Sequence, residues 1–198
     1  MSQTVIAYSG TVSRWDPDAK GRLAEAALEL FGEQGYDRTT VADIAARAGL
    51  TERTFFRHYA DKREVLFGGE FLAQHMGERL ADVPPDVSPM EAVTVVIEDA
   101  CTVITDSRPQ WSRERARIVA SHPELQEREL AKMATLATVL AAGLRERGVS
   151  AAVADIVTEA GVLAFRLAYE RWAAGPTSER AAPMVREVLA ELRAAVTE

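Results

Sequence analysis

Apolar residues recur every three to four positions along most of this chain, which is the spacing of one face of an α-helix. Leu23, Ala26, Ala27, Leu30 and Phe31 show the pattern near the N-terminus, and charged side chains occupy the opposite face. Long stretches without Gly or Pro also favour helices over a sheet of short strands. The pattern therefore predicts an all-α protein of about nine helices.

Capping residues predict where the first helices begin and end. The first helix is expected to begin with an N-cap at Asp16 followed by Pro17 and to stop at Gly35. The second, capped by Thr40 and Asp43, should run from Val41 to about Ala48. The third should run from an N-cap at Thr51 to about Tyr59, and the fourth from Asp61 with Glu64 to about Ala81. The second and third helices are short and are separated by a turn that contains Gly49. Such a pair is the signature of a helix-turn-helix.

The third helix, within TERTFFRHY at residues 51 to 59, divides its aromatic and basic side chains between two faces. Phe55 and Tyr59 are four residues apart and are expected to pack inward, whereas Arg53 and Arg57 project elsewhere. The two arginines are then available to phosphates or to guanine edges. Periodicity alone also fits a surface helix with no DNA partner.

The charge balance differs between the whole chain and this segment. The net charge is −7, which by itself argues against a nucleic-acid partner. From Arg38 to Arg63, however, basic residues outnumber acidic ones, so that a local positive patch is expected in an acidic protein.

The rest of the chain is predicted to be a helical bundle. The segment VPPDVSP at residues 83 to 89 is the clearest break, and capping residues followed by apolar stripes mark four or five further helices. We therefore expect an arm and helix-turn-helix domain over residues 1–67 and a larger helical domain over residues 68–198.

Specific residues in the first domain match a known family. The matches run in order across three helices and two turns: Gly35-Tyr36, Thr39-Thr40-Val41, Ile44-Ala45, Ala48-Gly49, Thr54, Phe55, Arg57-His58-Tyr59 and Lys62. With these residues, positions 27 to 67 resemble the DNA-binding domain of TetR-family transcriptional repressors. The resemblance implies that the third helix enters the major groove of DNA. The residues it places at or near DNA are Thr40, Thr51, Glu52, Arg53, Thr54, Phe56, Arg57, His58 and Lys62.

Two residues depart from the family pattern, and the N-terminal arm leaves one question open. Phe56 replaces the usual tyrosine, so a hydroxyl that contacts phosphate is missing. Glu52 is acidic where the family often has a basic or neutral residue; it is expected either to accept from a cytosine amino group or to support the helix through Arg53 or the helix N-terminus. Residues 1 to 10 are expected to be a tail, and a DNA contact by Arg14 stays open.

The resemblance also implies a ligand pocket among the middle helices. The candidate lining residues are Met90, Val93, Ile97, Cys101, Trp111, Met133, Leu136, Ala137, Leu140 and Phe165. Each of these also fits an ordinary core position. Arg113 and Arg117 suit either an anionic head group, as in an acyl-CoA-like effector, or a solvated charged face paired with Glu114.

The last two helices carry more apolar surface than one core needs. One stripe includes Val153, Ile156 and Val157, and a second runs through Phe165, Tyr169 and Trp172. The resemblance implies a homodimer that reads a palindromic operator. The candidate interface residues are Val157, Tyr169, Trp172, Val185, Val188, Leu189 and Leu192.

Other functions find less support in the sequence. Cys101 has no recognisable catalytic partner, and three scattered histidines lack the spacing of metal ligands, so we expect no catalytic residue, no metal and no cofactor. The absence of a leader and of a membrane span favours a cytoplasmic protein. The expected partners are operator DNA, a second copy of the chain and a small-molecule effector. The alternatives are a dimeric sensor or structural protein without specific DNA binding, and an enzyme that uses the helical pocket.

Overall fold

The computed structural model describes residues 19–68 and 71–197. Nine α-helices lie in these ranges, with no strand among the described residues, and this confirms the all-α prediction. The helices are α1 Ala19–Gln34, α2 Val41–Arg47, α3 Glu52–His58, α4 Phe71–Asp82, α5 Pro89–Thr105, α6 Pro109–Ala120, α7 Pro123–Glu146, α8 Ala151–Ala174 and α9 Ala181–Ala195. The predicted cap at Asp16 and Pro17 lies outside the described residues.

Local signals position the first three helices. Gly35 follows α1 with φ +89°, a conformation that glycine adopts without steric cost. The Thr40 hydroxyl accepts from the Asp43 backbone N–H while the Asp43 carboxylate accepts from the Thr40 N–H, which completes a capping box at the start of α2. Thr51 caps α3 in a similar way. The predicted helix-turn-helix is therefore present.

The fourth predicted helix differs from the prediction. The Asp61 carboxylate accepts from the backbone N–H groups of Arg63 and Glu64, but only a 3-10 turn, Glu64–Leu66, follows this cap. Gly68 has φ +68°, and α4 begins at Phe71. In place of the helix expected from Asp61 to Ala81, the chain forms a short turn and a separate helix, because Gly68 adopts a left-handed backbone conformation that does not continue a helix.

Helices α4 to α9 form a bundle with its own apolar core. Its centre brings α5 against α8, where Gly161 lets the two backbones approach closely. The fully buried side chains of Val93 and Ile97 fill the space beside this glycine. No helix in the described ranges has the length and apolar character needed to cross a membrane.

The N-terminal helices form a second core that is not closed by residues 19–68 alone. We call residues 19–68 the head. Ile118 and Val119 of α6 and Leu125 of α7 pack with the head's buried side chains. The head therefore packs directly against the bundle, through residues of the bundle helices α6 and α7.

Candidate nucleic-acid interface and effector cavity

Helix α3 is held on the head by two aromatic side chains. Phe55 is fully buried, Tyr59 is nearly so, and their ring centres are 5.5 Å apart. The Tyr59 hydroxyl donates to the Lys20 carbonyl of α1 at 3.1 Å. At the other end of α3, the Thr51 hydroxyl accepts from the Thr54 N–H at 3.2 Å. These contacts fix the orientation of α3 and hence of its outer face.

The outer face of α3 carries the predicted base-reading residues. Glu52, Arg53, Phe56 and Arg57 are exposed, and the Phe56 side chain is 56% exposed. The Arg53 guanidinium makes no hydrogen bond or ion pair with any described residue. The Arg57 guanidinium makes one hydrogen bond within the described residues, a 3.4 Å contact with His58. Two guanidinium groups on a rigid helix are therefore available to an external anion.

Other arginines of the head are already bound to carboxylates. Arg47 of α2 forms ion pairs with Glu29 at 3.2 Å and with Glu33 at 2.7 Å, both on α1. Arg63 pairs with Asp61 at 2.6 Å. Since these charges are compensated within the head, its uncompensated arginines include the two on α3.

Two of the predicted phosphate contacts also hold the turns of the head. The Lys62 ammonium donates to the carbonyls of Tyr36 at 2.8 Å and Thr39 at 3.2 Å. The exposed Thr40 hydroxyl donates to the Asp43 carboxylate at 2.7 Å as part of the capping box. Lys62 and Thr40 thus position the start of α2 relative to α3.

Two further predicted DNA contacts of α3 are His58 and Glu52, and the role of Glu52 was left open by the sequence. Partial burial and then the neighbouring Arg57 guanidinium lower the pKa of His58 below its usual value, so the ring is neutral at pH 7. Within the described part of the chain, Glu52 makes no ion pair with Arg53. Adjacent helical residues project in different directions, and this leaves the Glu52 carboxylate exposed to a ligand.

Two cavities adjoin each other: the first, of about 240 Å³, lies between the head and the bundle, and the second, of about 350 Å³, lies among α6, α7 and α8 of the bundle. They share Arg115, Glu129, Met133, Phe165 and Tyr169 as walls. The predicted pocket residues Trp111, Met133 and Phe165 line the first cavity, whereas Met90, Val93, Ile97, Cys101, Leu136, Ala137 and Leu140 line neither and lie in or against the bundle core. The space is therefore closer to α6 and the head than the sequence predicted.

The shared wall contains charged residues that sequence reasoning missed. Arg115 is only 5% exposed; its Nε donates to the Leu66 carbonyl at 2.6 Å and its Nη2 to the Glu129 carboxylate at 2.5 Å. Burial acts to raise the pKa of Glu129, but Arg115, with smaller contributions from Lys132 and Arg128, lowers it below its usual value. Lys132 donates to the Phe67 carbonyl at 3.2 Å. Three side chains of the bundle thus meet at the end of the head.

The two arginines that the sequence suggested for an anion have other partners. The Arg113 guanidinium donates to the Gly175 carbonyl at 2.8 Å and lies 4.2 Å from the ring centre of Trp172. Arg117 pairs with Glu114, as the solvated-face interpretation proposed. Neither arginine lines the two cavities.

The predicted dimer residues lie mainly in the core of their own chain. Val157, Tyr169, Trp172, Val185, Val188 and Leu189 are buried, and Leu192 is half-buried. Between α8 and residue 197, the exposed large apolar side chains are Val153 and Ile156 of α8, 45% and 70% exposed, and Val196 after α9, 75% exposed. Of the two stripes on α8, the one that includes Val153 and Ile156 is therefore the more exposed.

Both parts of the chain match known family models. Residues 23–67 match the model of bacterial regulatory proteins of the tetR family, and residues 87–197 match the MftR C-terminal domain. The second match covers more than half of the 198 residues.

Individual relatives agree with the family models. A Mycobacterium tuberculosis protein named as the mycofactocin biosynthesis transcriptional regulator MftR is 30% identical over 121 residues, which are 60% of this chain and 60% of that protein. A TetR-family regulator from Syntrophomonas wolfei has a similar fold, with a TM-score of 0.65, 16% identity and coverage of 93% of this chain and 97% of the other. FadR of Bacillus subtilis, solved with stearoyl-CoA, aligns with a TM-score of 0.58 and 17% identity over 87% of this chain and 96% of its own.

The matched family consists of regulatory proteins, which agrees with the prediction that the chain is not an enzyme. The ordered helix-turn-helix, the helical bundle that follows it and the two family models lead to one assignment. The chain belongs to the TetR family of bacterial regulatory proteins.

Proposed function

We propose that this chain is a ligand-responsive transcriptional repressor that binds a palindromic operator as a homodimer and is released by a small apolar or amphipathic effector. The observation that carries the proposal is the pair of exposed arginines, Arg53 and Arg57, on a helix held in place by buried aromatic side chains. A rigid element that presents uncompensated guanidinium groups suits the major groove of DNA.

The outer face of α3 offers a different contact for each kind of base edge. An arginine such as Arg53 binds the two acceptors of guanine, and the exposed Glu52 carboxylate accepts from the amino group of cytosine. Phe56 lacks a hydroxyl for phosphate, but its exposed ring suits the methyl group of thymine. The Lys62 ammonium, which donates to the Tyr36 carbonyl, helps to fix the orientation of this face.

Self-association would supply the second head that a palindrome requires. Val153 and Ile156 are three residues apart on α8, and Ala160, Leu163 and Leu167 continue the same face as half-buried positions. Burial of this stripe against its counterpart in a second chain would remove apolar surface from water. Two heads related by a twofold axis would then meet successive major grooves.

The two cavities are the proposed effector site. Their walls combine apolar and aromatic side chains with a small number of charged groups, which is typical of small-molecule sites. The first cavity contacts Leu66 and Phe67 at the end of the head, so a ligand there touches both parts of the chain. The stearoyl-CoA bound to FadR in its crystal structure supports an amphipathic effector. We also propose that the protein acts in the cytoplasm, where it can reach its operator DNA.

Operator binding is tested with arginine variants of the full chain. Fluorescence anisotropy with duplex DNA from the promoter next to its own gene should show sequence-specific binding. We expect the loss of Arg53 or Arg57 to alanine to weaken it by about tenfold or more, because each removes a charge-assisted contact. Arg47→Ala is the matched control, since it removes one positive charge from the same head at a guanidinium already paired with two carboxylates.

The result also separates this function from a sensor without DNA recognition. Binding of promoter and scrambled duplexes with equal affinity, or full retention of specificity in the double variant of Arg53 and Arg57, would reject the proposed interface. A metabolite that binds the chain and lowers its affinity for the operator would support a repressor.

A further inference from the structure

We propose that Lys132 is the anion-recognition residue of the effector site and that the site takes an amphiphile with a single carboxylate group. This inference rests on the proposed function only in that the two cavities are the effector site. It assigns a chemical class to that effector and a role to a residue that the sequence did not single out.

The lining of the first cavity is mainly apolar. Its apolar residues include Leu72, Val103, Ile104 and Trp111, which suit a hydrocarbon or aromatic tail. Arg108 also lines the cavity but pairs with Glu25 at 2.7 Å, and the other charged lining residues are Arg115, Glu129 and Lys132. A ligand that fits this space therefore needs a long apolar part and one polar group.

Two of these three charged residues already satisfy each other. Both terminal nitrogens of Arg115 donate to the two oxygens of Glu129, at 3.3 Å and 2.5 Å, while its Nε donates to the Leu66 carbonyl. The two charges cancel, and the guanidinium donors are engaged by Glu129 and by the Leu66 carbonyl. This pair forms a neutral wall with little capacity for a ligand anion.

Lys132 has unused capacity in the same wall. An ammonium group has three donors, and within residues 19–68 and 71–197 the Lys132 ammonium has one hydrogen bond, to the Phe67 carbonyl, and no ion pair. The wall therefore carries one uncompensated positive charge beside an apolar space. A monoanion compensates this charge, a neutral alcohol only accepts a hydrogen bond, and a cationic amphiphile is repelled.

The same ammonium connects the ligand to the head. The Arg115 bond to the Leu66 carbonyl, the Lys132 bond to the Phe67 carbonyl and the bidentate Arg128–Glu64 pair hold the segment of residues 64–67 on the bundle. A carboxylate bound to the unused donors of Lys132 draws the ammonium toward the cavity and so changes its bond to the Phe67 carbonyl. The contact between head and bundle thus differs between the free and the bound chain, which is the requirement for coupling to DNA binding.

The test uses three amphiphiles with a ten-carbon chain, which in decanoate includes the carboxylate carbon: decanoate, decanol and decyltrimethylammonium. Their binding to the full chain is measured by titration calorimetry at pH 7. We expect wild type to bind decanoate at least about tenfold more tightly than decanol, because a charge-assisted bond to the ammonium is added, and to bind the cation most weakly.

Variants at position 132 assign the preference to the lysine. Lys132→Met and Lys132→Gln should lose the preference for decanoate while still binding decanol. The matched control is Lys20→Met, which removes another lysine that donates to a backbone carbonyl near the end of the head, that of Gly68, without lining either cavity. Thermal unfolding of each variant verifies that it is folded.

Several outcomes decide the proposal. Equal affinities of wild type for decanoate and decanol, no binding of decanoate, or an unchanged preference in both folded variants at position 132 would overturn it. Operator binding is measured on the same samples. If the protein shows no preference for decanoate but still binds its operator, the proposed anion site is refuted and the proposed regulatory function is not. If the preference depends on Lys132 but no operator is bound, the anion site is supported and the regulatory function is refuted.

Discussion

The ammonium of Lys62 lies 4.2 Å from the ring centre of Tyr36 and donates to the carbonyl of the same residue at 2.8 Å. One side chain thus contacts both the ring and the backbone of the turn between α1 and α2. This places Lys62 among the residues that shape the head, in addition to any contact with phosphate.

This geometry predicts how Lys62→Met affects DNA binding. A lysine that only contacts phosphate contributes to the salt dependence of binding, and its loss reduces the slope of log affinity against log salt by about 1. We expect Lys62→Met to weaken operator binding with a smaller change in slope, and to lower the free energy of unfolding by about 1 to 3 kcal/mol. Arg57→Ala should change the slope with little effect on stability. Salt titrations of operator binding and urea unfolding measure both quantities, and a slope reduced by about 1 with unchanged stability would contradict a structural role.

The exposed stripe of α8 predicts a change of oligomeric state. Ile156→Glu places a charge in the proposed interface, and the burial of two such charges should weaken the dimer at least about a hundredfold. Leu130→Glu is the matched control, because Leu130 is a similarly exposed aliphatic residue, 63% against 70%, on α7. Sedimentation velocity should show a monomer for the first variant and a dimer for the second. A dimer for both would place the interface elsewhere.

The close approach of α5 and α8 predicts a destabilising glycine substitution. A Cβ at Gly161 would overlap Val93 and lie 2.8 Å from Ile97, both fully buried, so Gly161→Ala should destabilise the chain by about 1 to 3 kcal/mol. Gly32→Ala, at an exposed position of α1, has only Glu114 within reach at 3.4 Å and should stabilise by up to about 1 kcal/mol. Urea unfolding compares the two. Equal effects would mean that α8 can shift away from α5 at little cost.

The pair of Arg115 and Glu129 predicts unequal effects of single and double variants. Arg115→Met leaves a largely buried carboxylate without its partner, which is expected to cost about 3 to 5 kcal/mol. The double variant with Glu129→Met removes both charges and should recover part of this loss. Denaturant unfolding of wild type, both single variants and the double variant measures the coupling. Additive effects would show that the two side chains do not depend on each other.

The ionisation of Lys132 predicts a pH dependence of ligand binding. Burial and then Arg115 lower the pKa of Lys132 to about 8; Arg128 lowers it further, while Glu129 and Glu64 oppose the shift. Decanoate binds the protonated form, so its affinity should fall about tenfold from pH 7 to pH 9, as the free ammonium loses its proton. Decanol binding to wild type and decanoate binding to Lys132→Met should not change in this window. A parallel fall in the variant would assign the titration to another group.

Local signals predicted much of the fold correctly. The caps at Thr40 and Thr51 depend on residues three positions away, so the sequence contains all the information that they need. The cap at Asp61 was also read correctly, but the helix expected after it was wrong. Tertiary packing of Val65 and Leu66 into the head core, with Gly68 next to them, replaces it by a short turn.

The cavity could be predicted only in part. Periodicity identifies which side chains face inward, but it does not distinguish a residue that lines a cavity from one that fills the core; Val93 and Ile97 were therefore included. Arg115 was missed because it stands among three other charged residues in SRERAR, although Ile118, three positions on, lies on the same buried face of α6. Its acceptor, the Leu66 carbonyl, is far away in sequence and belongs to the fold.

The bonds from Arg115 and Lys132 end on backbone carbonyls, and every amino acid supplies that acceptor. The head adds side-chain contacts at this junction through Glu64, which pairs with Arg128, and through the Phe67 ring, which lies against Arg115 and Arg128. Substitutions at positions 66 and 67 that keep the turn would preserve the acceptors, and recognition residues on α3 can change without touching them. Heads with new operator preferences could therefore be grafted onto this bundle, in evolution or in the laboratory, with the ligand response retained.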